Sequence, residues 1–467
     1  MSDYAAGNTS VNVSTHANTN VFSRFESNVR SYCRSFPVVF QSAKGAQLFD
    51  EHGNAYLDFF AGAGALNYGH NPEAIKQRLI DYLQRDGITH GLDMYTSAKQ
   101  QFIETFSRLV LAPRDLHYKL QFCGPTGADA VEAALKLARK VTRRSGVFAF
   151  MGGYHGMSLG ALAATSNRQS RAGAGVALHD VTFMPFPAHN FCATFDTIEY
   201  LRMVLSDSHS GVDIPAAIIV EPVQAEGGIN VASAAWLPRL RRLCDDYRIL
   251  LIADEIQVGC GRTGPFFAFE RAGIVPDMVT LSKSISGYGL PMSLVLMKPE
   301  LDAWSPGEHC GTFRGHQLAF VAAAAALECF AAQNFEARTM LREREVRAFL
   351  EQEVKPLHAA IEIRGAGLIW GIDMAGAGGE TLALARQVAQ RCFEHQLIIE
   401  CAGRNDTVLK IMPPLMIEAG QLQQGLMIVR DALRDCLAAA AQRDQVPARA
   451  AQRSNAAVRG RELSKTL

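Results

Sequence analysis

Lys283 closes the apolar run of DMVTLSKSISGYGLP, and Asp254 closes another in ILLIADEIQVGCGRTG. Each run predicts a buried strand with an ionisable residue at its carboxyl end. In α/β folds, ligands gather just outside that edge of the sheet. An amine placed there can form a Schiff base with an aldehyde cofactor, and a carboxylate can keep a pyridine nitrogen protonated. The pair points to pyridoxal phosphate chemistry. Taken singly, each has a plainer role: Asp254 can cap a turn or pair with Arg262, and Lys283 can be a solvated lysine at a strand end.

Other residues could serve the same chemistry. In GPTGADAVEAALKLARK a short Gly-containing turn runs directly into a helix. Thr126 can cap that helix, and the amides of Gly127 and Ala128 at its positive end can bind a phosphate without a lysine. Tyr154, in YHG after the strand GVFAFM, can lay an aromatic face over a flat ring or simply pack in the core. Glu221 ends the strand AAIIV, and Gln224 and Glu226 follow in a Gly-containing loop. A buried carboxylate there calls for a cation nearby. GTFRGHQLAF offers the Thr312 hydroxyl and the Arg314 guanidinium ahead of an Ala-rich helix. GCGRTG is spaced like a dinucleotide fingerprint. However, DEIQV separates it from the strand, and Pro265-Phe266-Phe267 follows where a helix should open, so a loop beside a ligand is expected instead.

The elements that must position these residues are legible as an alternation. HYKLQF, GVFAFM, AAIIVEPV, ILLIADEI and DMVTLS predict strands, and ADAVEAALKLARKV, AAWLPRLRRLCDDY and LAFVAAAAALECF predict helices. The expected fold is α/β: a mostly parallel central sheet covered by helices in a large domain over 82–330. VVFQSAKGAQLFDEHGNAYLDFF predicts antiparallel hairpins. The flanks 22–81 and 331–441 are expected to form one smaller α+β domain from both chain ends, with disordered tails at 1–21 and 442–467. At 467 residues the chain exceeds one compact core. Hydrophobic residues at 48% and charged residues at 20% are ordinary for a soluble enzyme. Lys plus Arg equals Asp plus Glu at 46 each, so charge gives no reason to expect nucleic acid or a membrane as partner. The cysteines are scattered singly, which signals neither a metal site nor a disulfide framework. No secretory leader or membrane-length apolar run is visible, so a cytoplasmic location is expected.

With these motifs in place, the chain resembles the class III pyridoxal 5'-phosphate aminotransferases of fold type I, from about Phe22 to about Arg434. ADEIQVGCGRTG looks like their signature, and LSKSISGYGLP like the segment that carries the cofactor lysine. SNVRSYCRSFPVVF, FFAGAGALNYGHN, DGITHGLDM and GEHCGTFRGHQLAF are most similar to the diaminobutyrate–2-oxoglutarate branch that supplies ectoine synthesis. The resemblance implies Lys283 as the Schiff-base lysine and proton shuttle, Asp254 as partner of the pyridine nitrogen, and Gln257 as partner of the ring's phenolate oxygen. It further implies Gly127 and Ala128 at the phosphate, Tyr154 stacked on the ring, and Thr312 reaching the phosphate from a neighbouring subunit, hence a homodimer or higher homo-oligomer. The implied partners are amino-acid and 2-oxo-acid substrates. The implied activity transfers the terminal amine between L-2,4-diaminobutyrate and 2-oxoglutarate. Alternatives are another ω-amine donor (ornithine, 4-aminobutyrate or a polyamine) or a catalytically idle binding protein. Departures concern substrate contacts. Lys410 stands where ornithine enzymes carry the Arg that pairs with the residue matching Glu226, so Arg404 or Arg314 is expected to share the substrate carboxylate. Met157 replaces another carboxylate-binding Arg, Ala63 a pocket Tyr, and His316 an Asn.

Overall fold

A computed structural model of the chain describes residues 20–187, 195–377 and 383–463, with side chains up to 442. The expected amino-terminal tail therefore lies almost wholly outside the described residues.

A seven-stranded sheet forms the centre, in the order Lys119–Phe122, Leu294–Met297, Met278–Leu281, Leu250–Asp254, Ala217–Val220, Val147–Phe150, Val181–Met184. Leu294–Met297 runs antiparallel to both of its neighbours, and the other pairs are parallel. Every residue of VFAF, AIIV, MVTL and LVLM is buried. Continuous apolar runs of this kind suit strands covered on both faces. The helix Gly127–Thr142 lays Ala130, Val131, Ala134, Leu137 and Ala138 inward, and the Ala-rich helix Gln317–Ala332 is buried along most of its length. Asp254 pairs in register with Thr280, so the carboxyl ends of Leu250–Asp254 and Met278–Leu281 lie side by side. Lys283 follows immediately.

The flanks behave as the hairpin signals suggest. Phe40–Lys44, Gln47–Asp50 and Ala55–Asp58 form an antiparallel meander, to which Leu397–Ile398 from the far end of the chain adds in parallel. A second antiparallel sheet holds Glu362–Ala366, Ile369–Asp373, Val408–Ile411 and Glu400–Ala402, with Glu400 directly opposite Lys410. Strands from both chain ends thus share one sheet. The terminal helix spans Ala419–Leu463, and its Ala, Arg and Gln are strong helix formers. No single helix among the described residues is long and apolar enough to cross a membrane.

Arg262 takes no part in holding Asp254. It is fully buried and donates to the carbonyls of Leu368 (2.9 Å) and Pro413 (2.5 Å) and to Asn67 Oδ1 (2.5 Å).

Candidate active site

A cavity of ≈ 410 Å³ lies beyond the strand end at Asp254, and Gly127, Ala128, Tyr154, Glu226, Gln257 and Lys283 also line it. These residues come from five separate stretches of sequence, and the sheet edge brings them to one wall.

Lys283 opens the short turn Lys283–Ser286 with a left-handed backbone, φ +50°. A non-glycine residue held in that region is strained, which the surrounding structure must over-determine. Burial pushes its amine below the usual lysine range; Glu226 works against that and Lys410 reinforces it. A depressed amine has more of its lone pair free for attack near neutral pH.

Asp254 is 3% exposed. Its Oδ1 accepts from Thr280 Oγ1 (3.0 Å) and the Ile256 amide (3.1 Å), and its Oδ2 lies 2.7 Å from His155 Nδ1. Burial tends to lower the His155 pKa, but the hydrogen bond and charge of Asp254 outweigh it and hold that pKa above the usual value. A carboxylate has about four acceptor positions. Three are taken here, which leaves one for a protonated nitrogen in the cavity.

Gln257 Nε2 donates to the Ala63 carbonyl (2.7 Å), and the same side-chain amide hydrogen-bonds the Glu226 carboxylate. Tyr154 is partly exposed, and its amide donates to Glu221 Oε1 (2.9 Å). The Ala225 amide adds a second bond to Glu221 at 3.3 Å. Glu221 is thus met by backbone N–H groups and the charge of nearby His155, while the cation expected for this loop pairs with Glu226, as Lys410. Burial pushes the Glu221 pKa up to about 7, against the opposing effect of His155.

At the start of the helix Gly127–Thr142, Asp129 reaches back to accept from the amide (3.0 Å) and hydroxyl (3.1 Å) of Thr126. As first-turn residues, Gly127 and Ala128 have no intrahelical acceptor for their amides. Neighbours pack tightly against the glycines here: a Cβ on Gly127 would meet Ile256 Cδ1 at 2.8 Å, and one on Gly156 would meet Ala128 Cβ at 2.7 Å.

The substrate residues expected from the sequence divide. Lys410 is 0% exposed and does not line the cavity; its Nζ lies 2.7 Å from Glu226 Oε1 and 2.6 Å from Glu400 Oε1. Glu226 lines the cavity, so it stands between that space and the ammonium. Burial would raise the Glu226 pKa, but the charges of Lys410 and Lys283 win and take it down to about 2. Burial and then neighbouring Glu226 hold Glu400 above the usual carboxylate range, against Lys410. Arg314 and Arg404 are not brought to the cavity. Arg314 Nε donates to the Phe122 carbonyl (3.1 Å), and Arg404 is exposed on the turn Arg404–Asp406. Thr312 is likewise exposed and outside the lining.

Three neighbours went unread in the sequence. His155 was present only as part of YHG, with the ring role given to Tyr154. Glu400 ends the apolar run of QLIIE just as Asp254 ends ILLIAD, a signal that could have found it. Tyr32 belongs to the amino-terminal flank, and its phenol is pushed up to about 12 by burial, then by Glu400 and Glu226.

Together these features fit pyridoxal phosphate. A depressed amine suits its aldehyde, a buried carboxylate with one open acceptor position suits its ring nitrogen, and a glycine-bounded helix start suits its phosphate.

Comparison with known proteins agrees. The aminotransferase class-III family model matches residues 30–433. A diaminobutyrate–2-oxoglutarate transaminase of Nocardia farcinica is 55% identical over 418 residues, covering 89% of this chain and 94% of the relative. Its counterpart in Bordetella parapertussis is 53% identical over 419 residues, covering 89% and 95%. Among solved structures, the ornithine aminotransferase of Toxoplasma gondii superposes with a TM-score of 0.78 at 25% identity, covering 90% of this chain and 94% of that one. The taurine:2-oxoglutarate aminotransferase of Bifidobacterium kashiwanohense, in complex with PLP and glutamate, gives 0.76 at 26% identity, covering 85% and 92%.

Proposed function

The chain belongs to the class-III aminotransferases, and from that premise we propose that it moves the terminal amine of L-2,4-diaminobutyrate to 2-oxoglutarate, giving aspartate 4-semialdehyde and glutamate. The observation that carries the substrate assignment is the likeness to diaminobutyrate–2-oxoglutarate transaminases at 53–55% identity across 89% of the chain.

Pyridoxal phosphate, when bound, supplies an aldehyde that captures amines and a ring that withdraws electrons from the adjoining carbon. The Gly127 and Ala128 amides would hold its phosphate. Asp254, kept in place by Thr280 and His155, would keep its ring nitrogen protonated. Gln257 would turn its second N–H from Glu226 to the ring oxygen, and Tyr154 would cover a ring face. Lys283 Nζ would be the attachment point and, once released, would take the proton from the substrate carbon that bears the reacting amine. Thr312, exposed on its own chain, would serve the phosphate of a second copy, which makes the working unit at least a homodimer.

The two substrates place different groups beside the reacting carbon. Terminal-amine donation places only hydrogens there, and the Glu226–Lys410 pair can stay closed. A 2-oxo acid brings a carboxylate, to which Lys410, behind Glu226, can offer a buried positive charge once the Glu226 side chain moves aside. A lysine provides a point charge where a guanidinium would provide a two-pronged contact.

The test is a donor panel with 2-oxoglutarate as acceptor, following glutamate formation by the purified holoenzyme. Diaminobutyrate is expected to exceed ornithine, 4-aminobutyrate and polyamines in kcat/KM by about tenfold or more, equivalent to about 1.4 kcal/mol of transition-state discrimination. A faster rate with any of these competitors overturns the substrate assignment.

A further inference from the structure

We propose that Glu400 is a positioning residue for Lys410, holding its ammonium beside the substrate cavity while Glu226 gives way to the carboxylate of the 2-oxo acid. The proposal rests on the aminotransferase reading above and concerns its second half-reaction.

The two carboxylates on Lys410 are built differently. Glu400 lies on a strand directly opposite Lys410, and its side chain is 10% exposed. Glu226 lies on a loop at the cavity wall, and its side chain is 32% exposed. The backbone at Glu226 is fixed, because its carbonyl accepts from the Gly403 amide (2.9 Å), and the neighbouring Gly228 carbonyl accepts from Arg364 Nε (2.8 Å). Only the Glu226 side chain is therefore placed to move.

Suppose Lys410 had Glu226 alone. Displacing it would leave a fully buried ammonium without a counter-charge, and such a group surrenders its proton. With Glu400 in place, one carboxylate stays on Lys410 throughout. The incoming substrate carboxylate then exchanges with Glu226 at constant charge, and the ammonium keeps its position.

The half-reactions of the holoenzyme can be followed separately by single-turnover absorbance, first with the amine donor and then with 2-oxoglutarate on the aminated enzyme. Glu400→Gln is expected to raise the concentration of 2-oxoglutarate giving half-maximal rate by about tenfold or more, the loss of one buried ion pair. The donor half-reaction should change by less than about threefold. Lys410→Ala should show the same split, and the double variant should be no worse towards 2-oxoglutarate than Lys410→Ala alone. Should Glu400→Gln fail to fold, Glu400→Asp, which keeps the charge but shortens the reach, is expected to show the same split to a smaller degree. Equal losses in both half-reactions, no loss, or additive losses in the double variant would overturn the proposal. Failure of the wild type to use diaminobutyrate would refute the substrate assignment alone. The Glu400 effect would still be read in the acceptor half-reaction, with whichever donor aminates the enzyme.

Discussion

Lys283 has φ +50° and a depressed amine, and it is the sole lysine on the cavity wall among the described residues. Lys283→Ala should abolish turnover and remove the near-ultraviolet to violet absorbance of the purified protein; activity above about a thousandth of wild type, at unchanged fold, would mean another group carries the amine chemistry. Asp254→Asn keeps the shape and an acceptor for Thr280 and Ile256 but loses the charge. It should lower kcat by about two orders of magnitude or more while circular dichroism and Tm stay near wild type, and near-normal kcat would remove the ring-nitrogen role. Both residues were legible because each interrupts an apolar run, where an ionisable group is expensive unless it has work to do. Glu400 interrupts a run in the same way. What hid it was register, since its meaning depends on Lys410 facing it across a strand pair, and cross-strand pairing is not written in local periodicity.

At the scale of elements, the turn that carries Lys283 is pressed against the Ala-rich helix Gln317–Ala332. Gly287 closes that turn at φ +72°, and a Cβ there would sit 2.1 Å from Ala326 Cβ and 3.2 Å from the Ala322 carbonyl. Backbone on one side and a helix on the other leave nothing flexible to yield. Gly287→Ala should therefore shift the turn and destabilise the protein by about 1–3 kcal/mol. Lys283 is carried on the displaced turn, so weaker cofactor retention on dialysis should accompany the fall in Tm. Ala326→Gly in the same chain removes the contact but not the φ strain, so it should restore part of each loss. If Gly287→Ala retains cofactor and Tm unchanged, the turn is not held by this contact. Most elements were readable from apolar runs and helical spacing. Leu294–Met297 was not, because the Gly-rich loop before SLVLM marks a turn without showing that the strand after it runs in reverse. The amides that bind Glu221 were not readable for a related reason: a loop that folds back can offer its own N–H groups, and sequence does not show where those point.

The largest-scale dependence runs through Arg262, a residue that spacing alone tied to a ligand loop. Burial takes its guanidinium down to about 9, with the Asp58 charge opposing. It spans the carbonyls of Leu368 and Pro413, in the carboxyl-terminal part of the chain, and Asn67, in the amino-terminal part. Asn67 in turn donates its amide to Ser284 Oγ (3.2 Å), and Ser284 Oγ donates to the Gly64 carbonyl (2.6 Å). Ser284 is the residue after Lys283. One buried cation therefore ties the two chain ends to the signature loop and, through Asn67, to the turn bearing the reactive amine. Arg262→Lys keeps the charge but cannot span three acceptors with a fork, so buried oxygens lose partners at a cost of about 2–4 kcal/mol. The expected result is a lower Tm for the holoenzyme together with faster loss of cofactor at 25 °C, well below the unfolding transition. A fall in Tm with wild-type cofactor retention would show that Arg262 braces the assembly of the chain ends without reaching Lys283. Loss of both, with retention restored by no change in pH, would place the signature arginine in the support of the reactive turn, because the missing element is then the geometry of the fork and not the charge.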